Sequence, residues 1–214
     1  ETGFRARVER HVPLVLGPAR RITAEDALAE EVAQAVFILL ARKARSFRPN
    51  TIVSGWLYRT TCFVAARAVR GEQRRKRREQ EAAVMQIQSQ FHPSPHDPVP
   101  HLDAALQRLN RTDRDALLLR FCEQLPLRNV GSNLGLTEEA AKKRVARALE
   151  KLRRLLSRRG TEITAAALAA GLMQQTTSAA ITAAGVSQIT AAALAPAASS
   201  ALLADVLAAW RWTK

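Results

Sequence analysis

The chain has 214 residues, with 33 Lys and Arg against 19 Asp and Glu, and its formal charge is +14. That length supports one or two packed domains, and that charge favours a polyanion, either nucleic acid or an acidic membrane surface. Two widely spaced cysteines exclude a disulfide scaffold, and nothing in residues 1–160 approaches the ~20 uncharged apolar residues of a membrane span.

From the N-terminus, Phe4, Val8, Val12 and Leu16 predict an amphipathic helix interrupted near Pro13 and Pro18. Thr23 with Asp26 offers a capping signal for a second helix, ALAEEVAQAVFILLARKA, with one wide stripe from Leu28 and Val32 to Leu39 and Leu40. Pro49 disfavours helix at Arg48 and makes residues 46–51 a break. Ser54 is placed to cap a third helix, GWLYRTTCFVAARAVRGEQRRKRREQEA, whose far half is a basic run. Cys62 and Cys122 read as small core residues in a reducing compartment. Residues 89–101 hold four prolines and predict an extended linker. Three histidines fall there, but no cysteine joins them, so no metal or other cofactor is expected.

Residues 102–160 predict a second helical domain. Leu102, Leu106 and Leu109 start it, and Thr112 is placed to cap the next helix. Residues 127–159, LRNVGSNLGLTEEAAKKRVARALEKLRRLLSRR, then read as a helix-turn-helix. Leu127, Val130 and Leu134 form one face of its first helix, Gly135 sits where positive φ is needed, and Thr137 is a natural N-cap. Ala141, Val145, Ala148 and Leu152 repeat at helical spacing, while Lys142, Lys143, Arg144, Arg147, Lys151, Arg153 and Arg154 fill the rest. A cationic helix held at an angle by a short partner suits the major groove. Sustained period-two alternation is missing throughout, so the expected class is all-α with no sheet.

The last stretch, residues 161–214, changes character: 19 of its 54 residues are Ala, and its charges cancel. Segments such as AAALAAGLMQQ and SSALLADVLAAWRW predict short helices broken by Gly171, Gly185 and Pro196. Helices so short are marginal alone and need a surface to dock on. Three readings stay open: this extension folds back on the rest of the chain, Trp210 and Trp212 place it at a membrane interface, or it is a disordered or loosely helical extension. No catalytic constellation or phosphate-cradling glycine loop is present, so an enzyme is not expected.

The order of these parts resembles the extracytoplasmic-function sigma factors, the two-domain initiation factors of bacterial RNA polymerase, over roughly residues 4–158. Ala29–Phe37 is similar to that family's core-binding helix, Trp56-Leu57-Tyr58-Arg59 to its promoter-melting helix, and Leu134–Ala148 to its upstream-element reader. Phe63, Arg67, Gly131 and Ala141 stand where Asn, Asp, Ala and Val are common in the family. The resemblance implies a region 2-like domain over 1–88, a linker over 89–101, a region 4-like helix-turn-helix domain over 102–160, and an Ala-rich extension outside the family plan. It implies promoter DNA and core polymerase (clamp helices of the largest subunit, and the flap) as partners, an anti-sigma factor as a further one, and a cytoplasmic location. Asp26, Glu30, Glu31, Gln34, Phe37 and Leu40 are the candidates for docking on polymerase. Phe47, Asn50, Trp56, Tyr58, Arg59, Arg67, Arg70, Arg74 and Arg75 are those for the melted downstream element, with Trp56 equally at home in a core. Thr137, Glu138, Glu139, Lys142, Lys143, Arg144 and Arg147 are those for the upstream duplex. The competing reading is a dimeric helix-turn-helix regulator, which has no use for aromatic residues beside a loop ahead of a basic helix.

Overall fold

A computed structural model of the chain describes residues 2–83, 99–157, 164–177, 187, 189–191 and 201–210, and every regular element among them is helical. The first helix, α1 (Thr2–Thr23), runs unbroken through Pro13 and Pro18, where interruptions were expected. An internal proline costs about 3 kcal/mol through a lost hydrogen bond and a ring clash. Against that, Val8, Val12, Val15, Leu16 and Ala19 are all buried, and each large apolar side chain contributes about 1.5–3 kcal/mol. Tertiary burial therefore outweighs the local break.

Thr23 closes α1 instead of opening the next helix. Its hydroxyl lies 2.9 Å from the Ala19 carbonyl and 3.0 Å from that of Glu25. Helix α2 (Asp26–Lys43) starts after Glu25, whose side chain makes no capping bond. A short 3₁₀ turn, Ala44–Ser46, leads through the predicted break into α3 (Val53–Ala83). Ser54 is not its cap: the Trp56 N–H donates to the Ile52 carbonyl at 3.1 Å, and Ser54 is already the second residue of the helix and buried. Helices α1, α2 and α3 pack on one another around Val15, Leu16, Val36, Phe37, Leu57 and Val64.

Residues 84–98, which include most of the predicted linker with His92 and His96, lie outside the described residues. The second domain opens with α4 (Val99–Arg108), which already contains His101. Asn110, two residues before the expected Thr112, caps α5 (Arg111–Leu117). Its side chain accepts from the Asp113 N–H at 2.8 Å and donates to the Asp113 carboxylate at 3.0 Å, satisfying both ends of the cap. The helix widens into a π-turn, Leu118–Cys122, closed by the Glu123 N–H on the Leu118 carbonyl at 2.9 Å. Helices α6 (Leu127–Leu134) and α7 (Glu138–Ser157) complete the domain around Leu106, Leu117, Val130, Ala141, Val145 and Leu152. Cys62 and Cys122 are unbridged, and burial pushes each thiol up to about 12, as suits packing residues.

The Ala-rich stretch supplies α8 (Ala165–Thr177) and α9 (Ala201–Trp210). Gly171 does not break α8: glycine costs a helix only about 1 kcal/mol, and the helix is held by its buried side, Leu168 and Leu172. Helix α8 packs on α1, the π-turn and α7, and α9 packs on α2 and α3 with Leu203 and Val206 buried.

Candidate nucleic-acid interface

The turn between α6 and α7 is built from three small residues. Gly135 takes φ 66° and ψ 34° at the end of α6, and the Leu136 N–H returns to the Gly131 carbonyl at 2.8 Å. A side chain on Gly131 would put its Cβ 2.7 Å from the Leu136 carbonyl oxygen, so glycine there permits the close approach of turn and helix. Thr137 then caps α7, accepting from the Ala140 N–H at 3.3 Å. With Ala141, Val145 and Ala148 buried, the register leaves Thr137, Glu138, Glu139, Lys142, Lys143 and Arg147 exposed together. Arg144 is set apart from them. It is half-buried and reaches Asp113 at 3.1 Å, beside Lys151 at 2.6 Å from the other carboxylate oxygen. Burial alone would raise the Asp113 pKa, but these two cations hold it below the ordinary carboxylate value.

On the first domain, Phe47 and Trp56 meet edge to face, with centroids 5.2 Å apart and planes at 66°. Both are half-buried, so Trp56 serves the packing of the loop and keeps one side exposed. Asn50 is exposed at the tip of the loop. It lines a groove of about 450 Å³ with Thr51, Arg111, Asp115, Asn133 and Gly135, and so faces the helix-turn-helix domain. Along α3, Arg70, Arg74 and Arg75 are exposed and Arg67 is half-buried, with Arg75 near Glu72 at 2.9 Å. Phe63 is a large apolar side chain left 36% exposed one turn before Arg67; the sequence marks it only as a departure from the family, not as a DNA candidate.

Two of the melting candidates point elsewhere. Tyr58 is 1% exposed and donates to Asp103 at 2.7 Å, so it is a buried anchor and not a DNA contact in this structure. Arg59 is turned toward the second domain, where burial and the nearby Arg111 and Arg114 lower its pKa, against the pull of Asp115. On α2, Glu30 is exposed, Glu31 and Gln34 are partly so, and Asp26 is exposed but paired with Arg20 at 2.8 Å. Phe37 and Leu40, proposed from sequence as a docking surface, are 0% and 3% exposed. They belong to the core, because the stripe they share with Val36 and Leu39 is enclosed by packed neighbours.

The sigma-70 region 2 family matches residues 7–75, and the sigma-70 region 4 family matches residues 105–154. RNA polymerase sigma factor CarQ of Myxococcus xanthus is 31% identical over 168 residues, which cover 76% of this chain and 94% of that protein. ECF RNA polymerase sigma factor SigE of Mycolicibacterium smegmatis is 28% identical over 172 residues, covering 75% of this chain and 64% of that protein. This chain belongs to the extracytoplasmic-function sigma factors. A solved co-crystal structure of the sigma factor RpoE with the anti-sigma factor NepR from Bartonella quintana aligns at 23% identity and a TM-score of 0.35, covering 73% of this chain and 98% of that one.

As a sigma factor, the chain acts in transcription initiation with core RNA polymerase and promoter DNA, and this role is not itself enzymatic. Among the described residues, no cluster of metal-ligating side chains occurs and no helix is long and apolar enough to cross a membrane.

In this sigma factor the two domains are joined by polar contacts that the sequence pattern did not reveal. Asp103 of α4 accepts from Arg21 at 2.7 and 2.8 Å and from Tyr58, and its side chain is 2% exposed. His11 Nδ1 stands 3.0 Å from Glu123 beside the π-turn. Asp115 lies directly against the Cα of Gly55, where any side chain would overlap its carboxylate. A local signal for Asp103 was available: it sits three residues before Leu106 on the stripe that faces the core. An acidic residue there requires a buried partner, though nothing local says which.

Proposed function

We propose that this sigma factor reads the upstream promoter element with the exposed face of α7 and holds the melted downstream element against the 47–56 loop and the basic side of α3. The observation that carries this is the register of α7, which buries Ala141, Val145 and Ala148 and leaves Thr137, Glu138, Glu139, Lys142, Lys143 and Arg147 on one accessible side. Lys or Arg at a guanine edge is worth about 1–3 kcal/mol of discrimination, and the remaining cations serve phosphates. Asn50 and the Phe47–Trp56 pair suit a flipped base, and exposed Phe63 near Arg67 suits stacking on the separated strand. Glu30, Glu31 and Gln34 on α2 supply the polar edge that docks on the polymerase clamp, a surface that an anti-sigma factor would contest. The chain works in the cytoplasm, where its polymerase is.

Run-off transcription with core enzyme tests this reading. The chain should direct initiation from a defined site, and the triple variant K142A/K143A/R147A should abolish that product while still joining core. Failure of the unaltered chain to bind core, or to direct any start site, would overturn the reading.

A further inference from the structure

Over six consecutive residues of α2, Ala35 to Leu40, every side chain is buried. At 3.6 residues per turn, six residues point in all directions around the helix. A helix of a three-helix domain keeps one side toward solvent, and here α1 and α3 cover only part of α2. The third neighbour is α9 from the Ala-rich extension, which packs against both α2 and α3. It docks one-sidedly: Leu203 and Val206, three residues apart, are fully buried, and Ala204 is exposed. The other helix of the extension, α8, lies across the joint between the domains. Leu172 closes a crevice lined by Pro13, Leu14 and Tyr58 from the first domain and Leu106, Leu118 and Cys122 from the second. Beneath it lies the Asp103 contact with Arg21 and Tyr58.

We propose that α9 is an in-chain competitor of RNA polymerase, packed on α2 so that it obstructs the approach of polymerase to the Glu30, Glu31 and Gln34 edge of the same helix, with α8 strapping the two domains in the same closed state. This rests on the reading that α2 is the polymerase-docking helix. The binding-competent form is then the fraction of chains with α9 displaced, and the apparent affinity for core falls in proportion to that fraction.

The test uses the full chain. The double variant L203E/V206E places charges on the docked side of α9, A204E is its control on the exposed side, and E30K/E31K probes α2 directly. Amide hydrogen exchange over residues 35–40 and affinity for core polymerase are measured for each, with exchange in α6 and α7 as the check that the second domain is intact. L203E/V206E should raise exchange in α2 and tighten core binding about ten-fold, while A204E changes neither. If L203E/V206E leaves α2 protected, or exposes α2 without tightening core binding while E30K/E31K weakens it, the competitor role is overturned. If E30K/E31K binds core as the unaltered chain does, it is the α2 docking reading that fails, and the competitor role falls with it.

Discussion

Helices α2 and α7 carry the two candidate contact surfaces, and they differ in how much each shows. From Ala35 to Leu40, α2 passes through more than a full turn without exposing a side chain, whereas from Glu138 to Arg147, α7 buries only Ala141 and Val145. The sequence already carries the contrast, since residues 35–40, AVFILL, are apolar all round the helix and residues 138–147, EEAAKKRVAR, are mostly charged. Neighbours match it: α7 is backed on one side by its own domain and by α8, while α2 is enclosed by α1, α3 and α9. One chain thus offers to solvent the side of α7 proposed to read the promoter, while on α2 only the Glu30, Glu31 and Gln34 edge stays accessible and the turn after it is covered.

The largest expected effect on that contrast comes from the joint between the domains. The substitution Asp103→Ala leaves the Arg21 guanidinium, 11% exposed, without its carboxylate and strips Tyr58 of its acceptor. Removing one partner of a buried ion pair costs about 3–5 kcal/mol. The expected outcome is separation of the domains, read as a larger radius in small-angle scattering and a lower urea midpoint. Gly55→Ala reaches the same joint from the other side. It favours helix α3 by roughly 1 kcal/mol, yet its methyl overlaps the Asp115 carboxylate. It should therefore open the joint while exchange in α3 slows. An unchanged radius in both variants would mean that these polar contacts do not hold the domains together.

A smaller effect separates two adjacent cations of α7. Lys143 is exposed, and Arg144 is tied to Asp113. Lys143→Ala should leave the domain's stability unchanged and weaken promoter binding. If it touches phosphate, the salt dependence should fall by about one counterion. Arg144→Ala should cost the domain about 1 kcal/mol, because Lys151 still partners Asp113, and should reduce DNA binding only in proportion to the unfolded fraction. Equal stability of the two variants would erase the distinction.

What was legible in the sequence was local. Gly135, Thr137 and the Ala141–Val145–Ala148 spacing all act within one or two turns, and helix α7 starts at the residue the pattern indicates. Caps fared less well for a physical reason. Asn110 and Thr112 are both good acceptors two positions apart, and only the geometry that brings the Asp113 N–H to Asn110 chooses between them. The prolines of α1 misled because their cost is local and the compensating burial is not. Least legible was the joint. Arg21 and Asp103 are 82 positions apart, and no periodicity links a guanidinium at the end of one helix to a carboxylate on another domain. The extension's docking is only one of three options at the level of sequence, because an Ala/Leu side says that a helix needs a surface without saying which.

The subtlest distinction lies within α5, where Asp113 and Asp115 are equally buried but face different domains. Asp113, matched by Lys151 and Arg144, has its pKa held below the ordinary value near 3.9. Its contribution to the helix-turn-helix domain is therefore complete above that value and is lost as pH falls through the depressed one. Asp115 has the opposite sign. Burial raises its pKa, Arg59, Arg114 and Arg111 offset this only in part, and its Oδ1 has no hydrogen-bond partner among the described residues. The docked state thus takes up a proton more readily than the open one, and docking tightens as pH falls through the raised value toward 3.9. Scattering radius against pH should first decrease with acidification. Below the ordinary aspartate value, amide exchange in α5 and α7 should then accelerate as Asp113 is protonated. Asp115→Asn, which fixes the neutral form, should remove the first limb and leave the second. A variant that retains the first limb would place the titrating group elsewhere in the joint.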